Sequence, residues 1–355
     1  MDSKAKVMIF LGAGASAALD IPTSKKFPRF VEEKHKWSIN SLLAICADYL
    51  RSTGKGEYSA GQLDAEDLRD WLVSMERTTE SLSRIKSGSV PPLSKFRGDP
   101  SGSYTYVKEI RLQFDQIIRE TYKEVPQKEA YQHYNILFQR LWNCGLSILP
   151  IFTTNYDQVL ESYAEHPRSS INFVDGFSRG HSGAGTLRLD TNLFETSVSA
   201  SNTALFFKLH GSTTWFKHRE KKEVIFLPSG STPSSEYDNL LIYPTKDKAK
   251  ILEDYPFNEY YKYLKGYLES ESLRLCIVIG YSFGDPAINE FFETAIARGM
   301  RLLIIDPSPN AANLLSSEIG LASNQYSRCP TAFSGQYWDT HIKAALDKEL
   351  QLLSS

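Results

Sequence analysis

Five short stretches of this chain set chemically useful residues directly after an apolar run. They are Gly12-Ala13-Gly14-Ala15-Ser16, Thr153-Thr154-Asn155-Tyr156-Asp157, Lys208-Leu209-His210-Gly211-Ser212, Gly280-Tyr281-Ser282-Phe283-Gly284-Asp285 and Ile305-Asp306-Pro307. The first follows the strand-forming run Val7-Met8-Ile9-Phe10-Leu11 and has G-x-G-x-x-A spacing. A buried strand that turns into a helix at such glycines presents free backbone N–H groups to a phosphate. Gly12 allows the tight turn, Gly14 the close approach of a pyrophosphate, and Ala17 close helix–strand packing. The same spacing also describes a plain packing turn. A dehydrogenase places an acidic residue at the end of a second strand about 20 positions further on. Here Ile21 to Pro28 reads as an irregular loop, and Glu32 and Glu33 lie in a charged helical segment. A nucleotide at this turn is held in some other way.

Each remaining side chain has a bland reading beside the chemical one. Asn155 and Asp157 are helix-capping types. His210 is also an ordinary loop histidine, Ser282 and Asp285 are turn and cap types, and Asp306 before Pro307 is a common strand-ending turn. Ligands of open α/β sheets lie beyond the carboxyl ends of the strands. Five such ends bearing glycine, amide, carboxylate and imidazole groups exceed what capping needs. An imidazole titrating near neutrality is a mild general base. A carboxamide both donates and accepts, so it can hold a water without quenching a nearby cation.

The elements that must position these groups are legible in outline. Leu146 to Phe152, Leu273 to Gly280 and Arg301 to Asp306 read, like residues 7–11, as continuous buried strands. Helices are expected near 257–270, 286–298 and 335–353. Short strands fill 172–230, including a hairpin through Trp215 and Val224 whose basic tip, Lys217 to Lys222, is solvated. From about 30 to 145 the signal is helical, at 29–50, 66–76, 104–124 and 128–143, with loops at 52–61 and 87–103. The fold class is therefore α/β: a Rossmann-like, doubly wound, mainly parallel sheet built from 1–30 and 146–355, carrying a helical insertion or cap over 31–145. The glycines Gly176, Gly180, Gly183 and Gly185 make 175–203 a candidate gate.

The bulk numbers exclude several classes. A net charge of −2 gives no global reason to expect nucleic acid or an anionic membrane as ligand. No apolar run approaches the roughly 18 residues of a membrane span, and the N-terminus is not a signal peptide. Cys46, Cys144, Cys276 and Cys329 form no C-x-x-C pair, which excludes a standard structural zinc site and leaves no metal to expect. A reduced, cytoplasmic setting fits.

Taken in order, Gly12-Ala13-Gly14-Ala15-Ser16, Thr154-Asn155-Tyr156-Asp157, Leu209-His210-Gly211 and Gly280-Tyr281-Ser282 resemble the sirtuin NAD-binding domain over about 7–25, 146–215 and 273–310. Two features depart from deacetylating sirtuins. The paired cysteines of the zinc module are missing, and Pro22-Thr23-Ser24-Lys25-Lys26 stands where an Asp-Phe-Arg run follows the first motif. With the helical insertion, these departures look like the sirtuin-like NAD+-hydrolysing domains of prokaryotic antiphage defence systems. The resemblance implies roles. Gly12, Ala13, Gly14 and Ser16 would hold the pyrophosphate, with Thr154 and Gly280 beside it. Asn155 would place the attacking water, Asp157 bind the nicotinamide carboxamide, and His210 act as general base on the ribose side. Ser282 would touch phosphate or ribose, and Asp306 the adenosine ribose. The implied activity is an NAD+ glycohydrolase that depletes NAD+ during infection. The alternatives are an NAD-dependent protein deacylase and a catalytically silent NAD or ADP-ribose sensor. The implied partners are further copies of the chain and a HerA-like hexameric ATPase or other defence-system protein.

Overall fold

The computed structural model describes residues 5–23, 26–35, 47, 68, 71–72, 74–76, 100–122, 125–178, 187–197, 202–228, 231, 233–234, 236–242, 254–308 and 325–353. The chain divides into two compact units: residues 1–21, 122–242 and 247–355, and residues 22–121 with 243–246.

The first unit is organised by a seven-stranded parallel sheet. Its strands are β1 (Val7–Leu11), β2 (Ile148–Thr153), β3 (Asn172–Val174), β6 (Thr203–Lys208), β10 (Leu275–Ile279), β11 (Arg301–Ile305) and β12 (Tyr326–Cys329), in the order β12-β11-β10-β1-β2-β6-β3. Strict alternation explains why these runs are apolar throughout. Met8, Phe10, Cys276, Val278, Leu302 and Ile304 enter one core, whereas Val7, Ile9, Leu11, Leu275, Ile277, Ile279, Leu303 and Ile305 enter the other. Helices α3 (Gln127–Asn143), α4 (Val159–Glu165) and α7 (Lys343–Leu352) complete the second core through residues such as Leu137, Leu141, Val159, Tyr163 and Leu346. Helices α5 (Phe257–Leu268) and α6 (Pro286–Ala297) contribute Tyr260, Leu264, Ile288 and Phe292 to the first.

A second sheet, antiparallel and five-stranded, runs β4 (Phe177–Ser178), β5 (Leu187–Leu189), β8 (Val224–Phe226), β7 (Gly211–His218), β9 (Tyr237–Leu241). It joins the first core through Phe177, Trp215, Val224 and Leu240. The expected hairpin pairs Trp215 with Phe226 and Lys217 with Val224, and its tip, 219–222, is exposed.

Three expectations change. α3, which the sequence reading counts within 31–145, packs on the sheet of the first unit. The C-terminal segment is not one helix: a short turn at Gly335–Tyr337 and a π-helical turn at Trp338–Ile342 precede α7. No α-helix follows the first glycines; two 3₁₀ turns, Ala13–Ala15 and Ala17–Leu19, stand there, and Asp20 closes them in the left-handed region at φ 58°.

In the second unit α1 (Phe27–His35) and α2 (Pro100–Thr121) are described, with Phe27 edge-on to Phe114 at 5.9 Å and Arg111 bridging Asp115 at 2.7 Å and Glu76. The expected loop at 52–61, most of the helix at 29–50, residues 66–67, 69–70 and 73 of the helix at 66–76, and the loop at 87–103 up to residue 99 lie outside the described residues. So do Gly180, Gly183 and Gly185 of the candidate gate. Residues 100–103, expected as loop, belong to α2. Among the described residues no helix is long and apolar enough to cross a membrane.

Candidate functional site

One row of backbone hydrogen bonds continues past the strand ends and lines up all five stretches. Asp306 N–H donates to Cys329 at 3.1 Å, Gly280 to Ile305 at 3.0 Å and Gly12 to Ile279 at 2.9 Å. Thr154 donates to Leu11 at 3.1 Å and Leu209 to Thr153 at 2.8 Å. With neighbouring strands about 4.8 Å apart, the row is roughly 19 Å long. β1 lies between β10 and β2, so the Gly12 turn sits where the strand order reverses, the place where open α/β sheets bind ligands.

The glycines here have a structural reason that the motif does not reveal. A Cβ on Gly12 would stand 2.5 Å from Tyr281 Cα, and one on Gly14 2.7 Å from Gly280 Cα. Gly280 itself has φ +61°, and a Cβ there would meet Ala15 N at 2.3 Å. Gly14 N–H donates to Gly280 O at 2.9 Å, Ala15 N–H to Gly12 O, and Ser16 N–H to Gly14 O. Backbone therefore grips backbone across β1 and β10. The N–H groups of Gly12, Gly14, Ala15 and Ser16 all have carbonyl acceptors within the protein, unlike the free donors of a helix start.

Asn155 is tied to the same turn. Its Nδ2 donates to Gly12 O at 3.0 Å and lies 3.4 Å from Ser16 Oγ, while its N–H donates to Thr153 Oγ1. Its Oδ1 is buried and accepts no hydrogen bond from any described residue. Asp157 accepts Val159 N–H on one oxygen at 3.1 Å, closing a side-chain turn just before α4. Tyr156 hydroxyl donates to Ile242 O at 2.8 Å.

His210 is bracketed between the two sheets. Leu209 N–H extends the β2–β6 ladder, and His210 O accepts from Ile242 N–H at 2.8 Å, just past β9. The buried imidazole places Nε2 3.6 Å from Oδ2 of buried Asp285. Oδ1 of Asp285 caps α6 through Ala287 N–H at 3.2 Å, with Pro286 in the first turn. Burial pushes the phenols of Tyr281 and Tyr261 up, and the Asp285 carboxylate adds to the effect. Ser282 is exposed. Asp306 accepts Ser308 N–H at 2.6 Å on Oδ1, and burial pushes its carboxyl up against the opposing Arg328.

Asn155 thus touches both Gly12 and Ser16, Gly14 touches Gly280, and His210 faces Asp285. Ala13, Thr154, Ser282 and Asp306 share the strand-end row or its turns. Three further residues belong to this scaffold. Asp285, by sequence a helix-cap type, is one. His133, on α3, donates Nε2–H to Ala15 O at 2.8 Å; burial holds its pKa below the ordinary histidine value, against the pull of Ala15 O and Asp157. Lys208, the last residue of β6, is fully buried and reaches the loop after β2. A charged residue inside the run Leu205-Phe206-Phe207-Lys208-Leu209 is the signal that marks it.

Among the described residues no group of three or more His, Cys, Asp or Glu side chains could hold a metal ion. A cavity of about 590 Å³ is lined by residues of α4, of β3 and of the segments that follow, Glu161, Asn172 and Asp175 among them, and not by Asn155, Asp157 or His210.

A family model described as the SIR2-like domain matches residues 150–327, half of the chain. The chain belongs to the SIR2-like domain family. The SIR2-like match takes in the strand ends that carry Asn155, Asp157, His210, Gly280 and Asp306; the Gly12 turn lies before it. Among solved structures the chain is similar to a Sir2 homologue in complex with NAD, at 13% identity, covering 97% of this chain and 90% of that one, with a TM-score of 0.43. It is likewise similar to a mutant Sir2 homologue in complex with 2′-O-acetyl ADP-ribose, at 13% identity, covering 98% and 93%, with a TM-score of 0.41. No curated protein matches the sequence.

Proposed function

We propose that this SIR2-like protein hydrolyses NAD+ at the nicotinamide–ribose bond. The observation that carries the reading is the Asn155 carboxamide. Its donor end is fixed on Gly12 O, so its buried acceptor, Oδ1, is held in place without a partner among the described residues. Leaving such an acceptor unmet costs about 1–3 kcal/mol, which a bound water or ribose hydroxyl would recover. It stands on the same strand-end row as His210, and an elongated ligand with polar groups along its length suits a row roughly 19 Å long.

The reaction asks little else of the protein. As the glycosidic bond breaks, its electron pair leaves with nicotinamide, now neutral, and positive charge develops on the ribose. Water held by Asn155 adds to that carbon and gives its proton to His210, yielding ADP-ribose. Orientation and a mild base supply the catalysis. Asp285, whose Oδ2 lies 3.6 Å from Nε2, would pair with the protonated imidazole that results. Gly12 to Ser16, Thr154, Gly280, Ser282 and Asp306 would line the dinucleotide, and Asp157 the carboxamide. Because four of the turn's N–H groups already have carbonyl acceptors, hydroxyls such as Ser16 Oγ are the better candidates for the phosphates.

The wider role, NAD+ depletion in antiphage defence under the control of a HerA-like ATPase or another partner and in a homo-oligomer, is proposed on the resemblance of the motifs alone. Chromatography of NAD+ incubated with wild type, Asn155→Ala and His210→Ala tests the chemistry, alone and with the products of neighbouring genes. Nicotinamide and ADP-ribose are expected from wild type and a loss of 10²-fold or more in each variant. Wild-type rates in both variants would sink the assignment. Deacylation of an acetyl-lysine peptide without hydrolysis in its absence would make the protein a deacylase instead, and binding without turnover a sensor.

A further inference from the structure

The proposed hydrolysis makes no use of Lys208, yet this lysine is a fully buried cation in the middle of the scaffold. Burying an ammonium is expensive unless each of its donors is met. Here they are met in an informative way. Nζ donates to Asp157 O, to Glu161 Oε1 at 2.7 Å and to Ser212 Oγ at 3.1 Å, and lies 3.5 Å from Tyr156 O. An ion pair alone needs only the carboxylate. This ammonium also reaches main-chain carbonyls of the turn that follows Asn155 and a hydroxyl that follows His210. In the β2–β6 register Thr153 stands opposite Lys208, so Asn155 and His210 each lie two residues beyond the same rung. Past that rung, Leu209 N–H donates to Thr153 O at 2.8 Å, and further direct bonds between the two segments are long: Thr213 N–H and Ser212 Oγ each reach Tyr156 O at 3.4 Å, and Gln158 Nε2 reaches Thr213 Oγ1 at 3.4 Å.

We infer that Lys208 is a positioning residue whose ammonium sets the spacing between the Asn155–Asp157 turn and the His210–Ser212 corner. Glu161, at the start of α4, steadies the ammonium. The geometric part of this inference stands by itself; its catalytic part rests on the proposed hydrolysis.

Three variants separate positioning from stability. Lys208→Met leaves Glu161 unpaired and is expected to lower the melting temperature sharply. Lys208→Met/Glu161→Leu replaces the pair by apolar groups and is expected to regain most of that loss, because swapping out a whole buried pair is far cheaper than breaking it. Amide hydrogen exchange in the double variant should be at least tenfold faster at 154–158 and 209–213 and unchanged in β1 and β10. Its kcat should fall at least tenfold with KM within threefold, since misplacement by about 1 Å can cost 10²-fold in rate. Glu161→Gln keeps an acceptor for the ammonium and should leave exchange and kcat within threefold of wild type.

Wild-type exchange in the double variant would overturn the inference, as would faster exchange with unchanged kcat. Equal loosening in Glu161→Gln would assign the effect to the ion pair and overturn it too. If the wild type itself fails to cleave NAD+, the hydrolysis reading falls, and the exchange pattern alone decides whether Lys208 sets the spacing.

Discussion

The two halves of the site are held by unlike devices. Between β1 and β10 the hold is backbone on backbone: Gly12, Gly14 and Gly280 approach so closely that any Cβ collides with main chain. Between β2 and β6 the hold past the ladder centres on a side chain, the Lys208 ammonium on the carbonyls of Tyr156 and Asp157, beside longer bonds from Thr213 N–H and Ser212 Oγ to Tyr156 O. The first device is uncharged and tolerates no substitution at its contact points. The second tolerates side chains all round and is built about one buried cation and its carboxylate. A site can thus be held at one end through absence of atoms and at the other through a buried charge and the bonds gathered around it.

The glycine end should break hardest. Gly280→Ala or Gly12→Ala is expected to cost more than ~3 kcal/mol or to abolish folding, read by denaturant unfolding. Gly299→Ala, at φ +95° but with nothing within 4 Å of the added Cβ, should cost only about 1–2 kcal/mol. Equal losses at Gly280 and Gly299 would mean that conformation, not the close contact, sets the requirement. Next comes Asn155→Asp, which removes the donor on Gly12 O and sets a carboxylate against that carbonyl. A kcat loss of about 10²-fold or more is expected, with about 1–3 kcal/mol of stability; an unchanged kcat would detach the carboxamide from catalysis.

Smaller effects test the supporting shell. Asp285→Ala should cost about 1 kcal/mol through the lost cap of α6 and lower kcat as well; a stability change alone would confine Asp285 to capping. The pH dependence of His133 has a definite sign. Its folded-state pKa lies below the ordinary value near 6.5, so the unfolded chain takes up the proton first, and stability falls as pH drops through about 6.5. His133→Gln should flatten the pH 7 to 5.5 segment of the unfolding free energy; an unaltered slope would assign it to other groups. At the hairpin tip, Lys221→Ser and Lys222→Ser should stay within about 0.5 kcal/mol of wild type.

The sheet was legible because its strands are covered on both faces, so each reads as an unbroken apolar run ending in a polar residue. That rule also located Asn155, Asp157, His210 and Asp306, since a strand's carboxyl end is visible from the strand alone. The conformation after Gly14 was not legible: whether an α-helix or 3₁₀ turns form there depends on Gly280, which meets Gly14 only once the sheet is assembled. His133 escaped for the same reason, being 118 positions from the carbonyl it holds. Lys208 stood in plain view, but a lone charge in an apolar run does not announce which carbonyls it will find. The order of the antiparallel strands was hidden too, because pairing of short strands is set by partners far along the chain.

Only Leu209 and His210 separate the last residue of β6 from the first of β7, and Gly211 turns the corner at φ +79° with its backbone pressed on Leu240. There is no slack in that span. Any protein that grasped the antiparallel sheet and shifted it would draw the imidazole with it, as a short tether moves whatever is tied at its middle.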